Sequence, residues 1–187
     1  MKKKVKIPVA IIGKNFGYKV LAKALNKTKR FELKALAFKS NKFKKNLERN
    51  ILISSNWKNV IKNKNIKAVI IATPPSTHEN IINFAIKHQK HIFCEKPCTL
   101  SFQQISKILK KIKQNKKFIS HMINYELLEI GAFRYFSNLI RKKNIKVRSI
   151  NVVWNILDRT KANNWKNHHN KGGGLISNYF CHSLYYP

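Results

Sequence analysis

Apolar runs that stop at glycine, proline or charge recur along the first two thirds of the chain. They are separated by stretches whose apolar residues return every three or four positions. Val5 to Ile12 is such a run and ends at Gly13-Lys14-Asn15-Phe16-Gly17, after which Val20, Leu21, Ala24 and Leu25 recur at helical spacing. The pattern predicts strand, glycine turn, helix. Phe31 to Phe38 predicts a second strand and Ile51 to Ser55 a short third, with helices at Lys42 to Asn50 and Trp57 to Asn63. Lys67 to Thr73 predicts a fourth strand, and Thr77-His78-Glu79 opens a helix carrying Ile81, Ile82, Ala85 and Ile86. His91 to Glu95 predicts the fifth. Ser101 caps a helix with Ile105, Ile108, Leu109 and Ile112 on one face, and Phe118 to Ile123 follows as a sixth strand. Strands alternating with helices predict an α/β fold with a doubly wound parallel sheet over residues 1–123.

After Tyr125 the pattern changes. A helix is predicted over Ile130 to Lys142, and then Val147 to Leu157 alternates, with Ile150, Val152, Trp154 and Ile156 on one face and Ser149, Asn151 and Asn155 on the other. A strand with one wet face belongs to an antiparallel sheet, so residues 124–187 read as the start of a second α/β domain. Asp158 to Lys171 is polar loop, and Gly172-Gly173-Gly174 precedes a last helical stretch. One strand cannot make a sheet, and this domain is expected to be incomplete.

In an open parallel sheet, ligands bind outside the carboxyl ends of the strands. The fourth strand ends at Thr73-Pro74-Pro75 and the fifth at Glu95-Lys96-Pro97, which puts Lys96 on that edge. Pro97 fixes its own φ and biases Lys96 toward extended geometry, aiming the side chain at a defined place.

Charge alters this picture less than its size implies. The formal net charge of +32 is that of a nucleic-acid binder, but the lysines are spread through nearly every block of ten, without a basic stripe interleaved with aromatics. A lysine-loaded solvated surface, with no specific nucleic-acid partner, is the expectation. No stretch approaches the roughly 18 apolar residues of a membrane span. The start MKKKVKIPVAIIG lacks a cleavage-site pattern, so a soluble cytoplasmic protein is expected. Cys94, Cys98 and Cys181 form no disulfide framework, and no metal site is expected.

The glycine turn is a degraded G-x-G-x-x-G: Gly13 is present, Asn15 stands at the second glycine, Tyr18 at the third, and Gly17 sits one place early. It reads equally as a pyrophosphate-binding turn or a plain strand-to-helix turn. At the end of the second strand, where an NAD site usually carries Asp or Glu for the ribose 2′-hydroxyl, Phe38 is followed by Lys39 and Ser40. These two suit a 2′-phosphate; the alternative is that Lys39 is a surface lysine. Asn178 and His182, four apart on a predicted helix, share a face, and a lone helical histidine is as readily structural as functional.

Together, IIGKNFGYKVLAKAL, AVIIATPPSTH, FCEKP and GGGLISNYFCH, at their spacings, resemble the Gfo/Idh/MocA family of NAD(P)-dependent oxidoreductases. The resemblance implies a dinucleotide-binding domain followed by an α/β domain with a large, open, mostly antiparallel sheet. It implies NADP or NAD as cofactor, held by Gly13, Asn15, Phe16, Gly17, Lys39, Ser40, Thr73, Pro74, Pro75, His78, Glu95 and Lys96. Lys96 and His182 are implied as catalytic, with Tyr125 and Asn178 joining them against a sugar-like substrate. Asn178 stands where the family often has Asp, and an amide cannot accept a proton as a carboxylate can. Members usually exceed this length, a full-length form is expected to be a homo-oligomer, and roughly the last third of the fold is expected to be absent. The function expected is hydride transfer between nicotinamide and a carbon of a sugar-like polyol or its ketone. The alternatives are a cofactor-binding remnant without turnover, a structural partner of another subunit, and a basic nucleic-acid binder.

Overall fold

The computed structural model describes residues 5–39, 50–155, 157 and 164–183. The chain divides into two compact units, Met1–Ile123 and Asn124–Pro187. Strands β1 (Ile7–Ile12), β2 (Phe31–Ala37), β3 (Leu52–Ser54), β4 (Ala68–Ile71), β5 (His91–Glu95) and β6 (His121–Asn124) form one sheet in the order β3-β2-β1-β4-β5-β6. The registers that link β3, β2, β1, β4 and β5 are all parallel. The chain steps outward from β1 to β3 and then returns to the other side of β1 at β4. That reversal opens a crevice at the carboxyl ends of β1 and β4.

Parallel neighbours require crossovers, and here they are helical. A π-helical turn, Gly17–Ala22, runs into α1 (Lys23–Asn26) between β1 and β2. α2 (Trp57–Lys62), α3 (His78–Lys87) and α4 (Phe102–Lys113) make the later crossings. The helix expected at Lys42 to Asn50 lies, but for its last residue, outside the described residues.

Both sheet faces are buried. Ala10 and Ile12 of β1 join a cluster with Val60, Ile61, Ile81, Ile82 and Ile108, whereas Val9 and Ile11 join Ala22, Leu25, Leu33, Leu36 and Phe38 on the other side. The alternation is the two-residue period of a strand, and with both faces dry the stretch Val9 to Ile12 is apolar at every position. Each such side chain removed from water contributes roughly 1.5–3 kcal/mol.

Helix ends are satisfied locally. Asn56 Oδ1 accepts from Lys58 N at 3.0 Å to start α2, and Ser101 Oγ accepts from Gln104 N at 3.3 Å to start α4, the latter as the sequence predicts. Lys90 closes the other end of α2: its Nζ donates to the carbonyl oxygens of Asn63 at 2.8 Å and Ile66 at 2.6 Å. Its side chain is buried, with its ammonium at the negative end of the helix. Burial, then the neighbouring charge of Lys67, lowers its pKa.

Two strand expectations need correction. The sixth strand begins at His121 rather than Phe118, because Asn115 Oδ1 accepts from Lys117 N at 3.1 Å in a turn that leaves Phe118 86 % exposed. In the second unit, Val147 to Leu157 joins no ladder among its described residues. Alternation marks a segment fit for a sheet, but pairing makes a strand, and no other described segment of this unit pairs with it. The unit consists instead of a 3-10 turn (Glu126–Glu129), α5 (Gly131–Lys142), two 3-10 turns (Trp165–Asn167 and His169–Lys171) and a π-helical turn (Ile176–Phe180) leading into α6 (Cys181–Ser183). Those 3-10 turns fall in the stretch read as polar loop. No helix among the described residues is long and apolar enough to cross a membrane.

Candidate cofactor and active site

The turn after β1 is built by close approach of backbone. Gly13 has φ +130°, donates its N–H to Ala37 O at 2.9 Å, and packs so tightly on Ala72 that an added Cβ would lie 2.1 Å from the Ala72 carbonyl oxygen. Only glycine fits. Gly17 does the work expected of the third glycine in the motif: a Cβ there would lie 2.9 Å from Ile11 Cγ2 and 3.2 Å from Ala72 Cβ, so its absence lets the helix lie flush on β1 and β4. The motif is therefore less degraded than its spacing implies. The π-helical turn that starts at Gly17 adds one residue per turn, and Tyr18 packs on the core instead of facing the strand end. Asn15 and Phe16 are exposed at the helix start.

At the end of β2, Phe38 is buried in the apolar cluster and donates its N–H to Ser54 O at 3.1 Å, while Lys39 is exposed. Ser40 lies outside the described residues.

The loop after β4 is braced by hydroxyls. Thr77 Oγ1 donates to Pro74 O at 2.8 Å, which leaves Thr73 Oγ1 as donor in its 2.6 Å contact with Thr77 Oγ1. Pro75 opens a short 3-10 turn, Pro75–Thr77, that leads into α3. At the head of α3, His78 is fully buried. Its Nε2 lies 2.8 Å from Thr73 O, and its Nδ1 lies 3.0 Å from Pro97 O and 3.4 Å from Cys94 Sγ. One ring thus ties the loop after β4 to the turn after β5. Burial lowers its pKa and outweighs the carbonyls of Thr73, Pro97 and Cys98, which favour the cation.

The turn after β5 carries Glu95 and Lys96, both half-buried, and Cys94 and Cys98 stand on either side of it. Cys94 Sγ donates to Glu95 O at 3.3 Å. The neighbouring Cys98, and then burial, push the Cys94 thiol well up, while the neighbouring Cys94 lowers Cys98 against the effect of its own burial.

Of the residues the sequence nominates in the first unit, Gly13, Gly17, Thr73, Pro74, Pro75, Glu95 and Lys96 meet at the carboxyl edge of β1, β4 and β5, with Lys39 at the end of the adjacent β2. His78, nominated as a cofactor ligand, is the buried pin behind that edge, with both ring nitrogens directed at carbonyls. In the second unit, Gly172 (φ +83°) and Gly174 (φ +97°) shape the turn, and a Cβ on Gly173 would lie 2.3 Å from Lys166 O. Asn178 and His182 are both 5 % exposed. The ring of Trp154 lies 5.4 Å from that of His182 and 6.0 Å from that of Tyr179. Tyr125 is half-buried ahead of the first 3-10 turn.

Two features escaped the sequence reading. Buried Lys90 was one lysine among many, and nothing in its neighbours marks it. The placing of Cys94 beside His78 leaves only a weak sequence signal, two cysteines on either side of the Glu95-Lys96-Pro97 turn. Among the described residues no group of three or more His, Cys, Asp or Glu could hold a metal ion.

Comparison with known proteins assigns the edge to a family. The oxidoreductase family with an NAD-binding Rossmann fold, Gfo/Idh/MocA, matches residues 7–122. An uncharacterized oxidoreductase of Synechocystis is 27 % identical over 193 residues, covering 100 % of this chain and 52 % of its own length, so the chain spans about half of that relative. Over 55 residues, 29 % of this chain and 16 % of the relative, it is 44 % identical to scyllo-inositol 2-dehydrogenase (NAD(+)) of Bacillus subtilis. The scyllo-inositol dehydrogenase from Lactobacillus casei, solved with NAD(H) and scyllo-inositol, shares the fold at a TM-score of 0.67 and 21 % identity over 75 % of this chain and 42 % of that one. The chain belongs to the Gfo/Idh/MocA oxidoreductase family, whose NAD-binding Rossmann fold is its first unit.

Proposed function

We propose that this chain serves NAD(P)-dependent hydride transfer to or from a carbon of a sugar-like polyol or its ketone. The observation that carries the reading is the meeting, on one sheet edge, of the Gly13 turn with the Lys96 turn, the latter tied to the Thr73 loop through His78. The residues present fit a dinucleotide: at Gly13 any Cβ is excluded by backbone, and the helix that follows opens onto the crevice between β1 and β4. When bound, the nicotinamide supplies the hydride chemistry. The chain's own part is to hold the cofactor at Gly13 to Gly17 and Thr73 to Pro75, and to manage one oxygen and one proton.

Lys96 polarises the oxygen on the reacting carbon, and Glu95 helps to hold it. His182, whose type titrates near 6.5 when unperturbed, donates or accepts the proton, and Asn178 hydrogen-bonds the substrate. The polyol class is supported by the named activity of the Bacillus subtilis relative. Cofactor choice leans to NADP, because no carboxylate follows β2 and Lys39 offers a cation to a 2′-phosphate. A homo-oligomeric state and a cytoplasmic location are proposed with it.

The test is single-turnover oxidation of NADPH and NADH with a panel of keto-sugars and inosose-type ketones. Cofactor-dependent turnover of any one supports the reading. Tight cofactor binding without turnover of any substrate would reduce the function to cofactor binding.

A further inference from the structure

We propose that the indole of Trp154 is the platform on which the ring of a cyclic polyol lies, and that it selects six-membered rings presenting a face of C–H bonds alone. This selection rests on the hydride-transfer function proposed above and names the substrate class within it. Trp154 stands on the apolar side of an alternating segment, yet that segment joins no ladder among its described residues, and the indole packs elsewhere. Its ring centroid lies 5.4 Å from that of His182 at an interplanar angle of 52°, and 6.0 Å from that of Tyr179 at 68°. Tyr179 and His182 are three apart on the last helical turns, so the indole lies against the face that carries them, with Asn178 one turn before His182. Asn178 and His182 are 5 % exposed, whereas Trp154 keeps 43 % of its surface open. A molecule that brings a hydroxyl to the His182 ring therefore lies along the indole.

The chemistry of the ring decides the class. In a chair whose hydroxyls are all equatorial, every axial position is a C–H bond, so both faces are apolar and the hydroxyls form a polar rim. An indole face is electron-rich and attracts the positive ends of C–H bonds, and stacking removes both apolar surfaces from water. The rim stays available to the polar groups beside the indole, His182 among them. An axial hydroxyl on the stacked face points into the indole instead and gives up its hydrogen bond to water. A ring with an axial hydroxyl on each face, as in chiro-inositol, cannot turn a clean face to Trp154. Scyllo-inositol, with none, can turn either. The two carry the same number of hydroxyls, so hydrogen-bonding capacity does not separate them, and the shape of the face does. An open-chain polyol has no such face.

The experiment titrates the parent chain, Trp154→Phe and Trp154→Ala with scyllo-inositol, chiro-inositol and the open-chain polyol sorbitol, following tryptophan fluorescence, calorimetry and NAD(P) reduction. Subtracting the Trp154→Phe signal from the parent separates Trp154 from Trp57 and Trp165. The expected result is a saturable change in Trp154 emission with scyllo-inositol, with chiro-inositol bound roughly tenfold more weakly and sorbitol more weakly still. Affinity for scyllo-inositol should fall about tenfold in Trp154→Ala, and its advantage over chiro-inositol should shrink to about twofold or less. Trp154→Phe keeps a ring against Tyr179 and His182, so it should fold as the parent does and lose about threefold. Binding in this pattern supports the platform whether or not hydride transfer follows, and binding without transfer tells against the proposed function alone. A preference for scyllo-inositol that survives in both variants, or polyol turnover with KM unchanged in both, overturns the platform and leaves the function standing. Trp154 emission indifferent to every cyclic polyol overturns it too, as does a loss of thermal stability in Trp154→Ala with selectivity intact, which makes the indole a packing residue.

Discussion

Nδ1 of His78 lies 3.0 Å from the carbonyl oxygen of Pro97, at the head of a helix whose preceding loop the same ring holds through Thr73. Two loops that meet only at the sheet edge are thereby spaced by a rigid ring. His78→Phe keeps the ring volume and removes both contacts, so the part-buried carbonyl served by the ring's one N–H loses its donor. Chemical denaturation should show a loss of about 2–3 kcal/mol.

The same ring gives stability a pH dependence. Its folded pKa lies below the ordinary value of 6.5. As pH falls through that value the unfolded chain takes up a proton that the folded chain resists, so stability is full above it and declines below it, down to the folded pKa. Denaturation at about pH 8 and about pH 5 should differ more in the parent than in His78→Gln. Equal differences would remove His78 from the account.

Gly13 and Gly17 should fail differently. Alanine at Gly13 meets a carbonyl oxygen at 2.1 Å on backbone with positive φ, and must shift β4 or the turn itself. NAD(P) binding should be lost, with a stability cost above about 2 kcal/mol. Alanine at Gly17 meets Ile11 Cγ2 at 2.9 Å and Ala72 Cβ at 3.2 Å, with no backbone oxygen in the way, so the helix must lift by a fraction of an ångström, and a cost of about 1–2 kcal/mol with weakened binding is expected. Fluorescence titration and thermal melts of both variants separate the cases.

Cofactor choice is checked at Lys39. Phe38 is buried in the apolar cluster, so among the described residues after β2 the exposed Lys39 is the side chain available to a 2′-phosphate. NADPH should bind at least as tightly as NADH, and Lys39→Ala should cost NADPH about tenfold and NADH little. Tighter NADH binding that ignores the substitution refutes the preference.

Lys96→Met and His182→Ala should each slow single-turnover hydride transfer by about 10²–10⁴-fold while leaving cofactor affinity nearly unchanged, and Asn178→Ala should mainly raise KM. Near-normal rates in Lys96→Met would make the Glu95-Lys96-Pro97 turn structural.

What the sequence made legible is what repeats or what sterics dictate. Doubly apolar runs such as Val9 to Ile12 and Val69 to Ile71 announced a buried parallel sheet, and the strand ends at Thr73 and Glu95 located its edge. What stayed hidden depends on contacts distant in sequence. That Gly17 replaces the third glycine requires knowing that Ile11 and Ala72 lie beneath it. That His78 faces inward requires Pro97, nineteen residues on. The segment Val147 to Leu157 misled for the opposite reason: its alternation was real, but alternation carries no information about a partner.

Lys90 has a consequence for reactivity. Amine acylation needs a neutral amine exposed to the reagent, and although burial makes this amine easier to deprotonate, the carbonyls of Asn63 and Ile66 enclose it. Among so many lysines, its labelling should lag the rest, at a rate set by how often the end of α2 parts from the start of β4. Pulse labelling at Lys90 would therefore time the breathing of the sheet's central crossover, a clock written into the chain by its one buried lysine among the described residues.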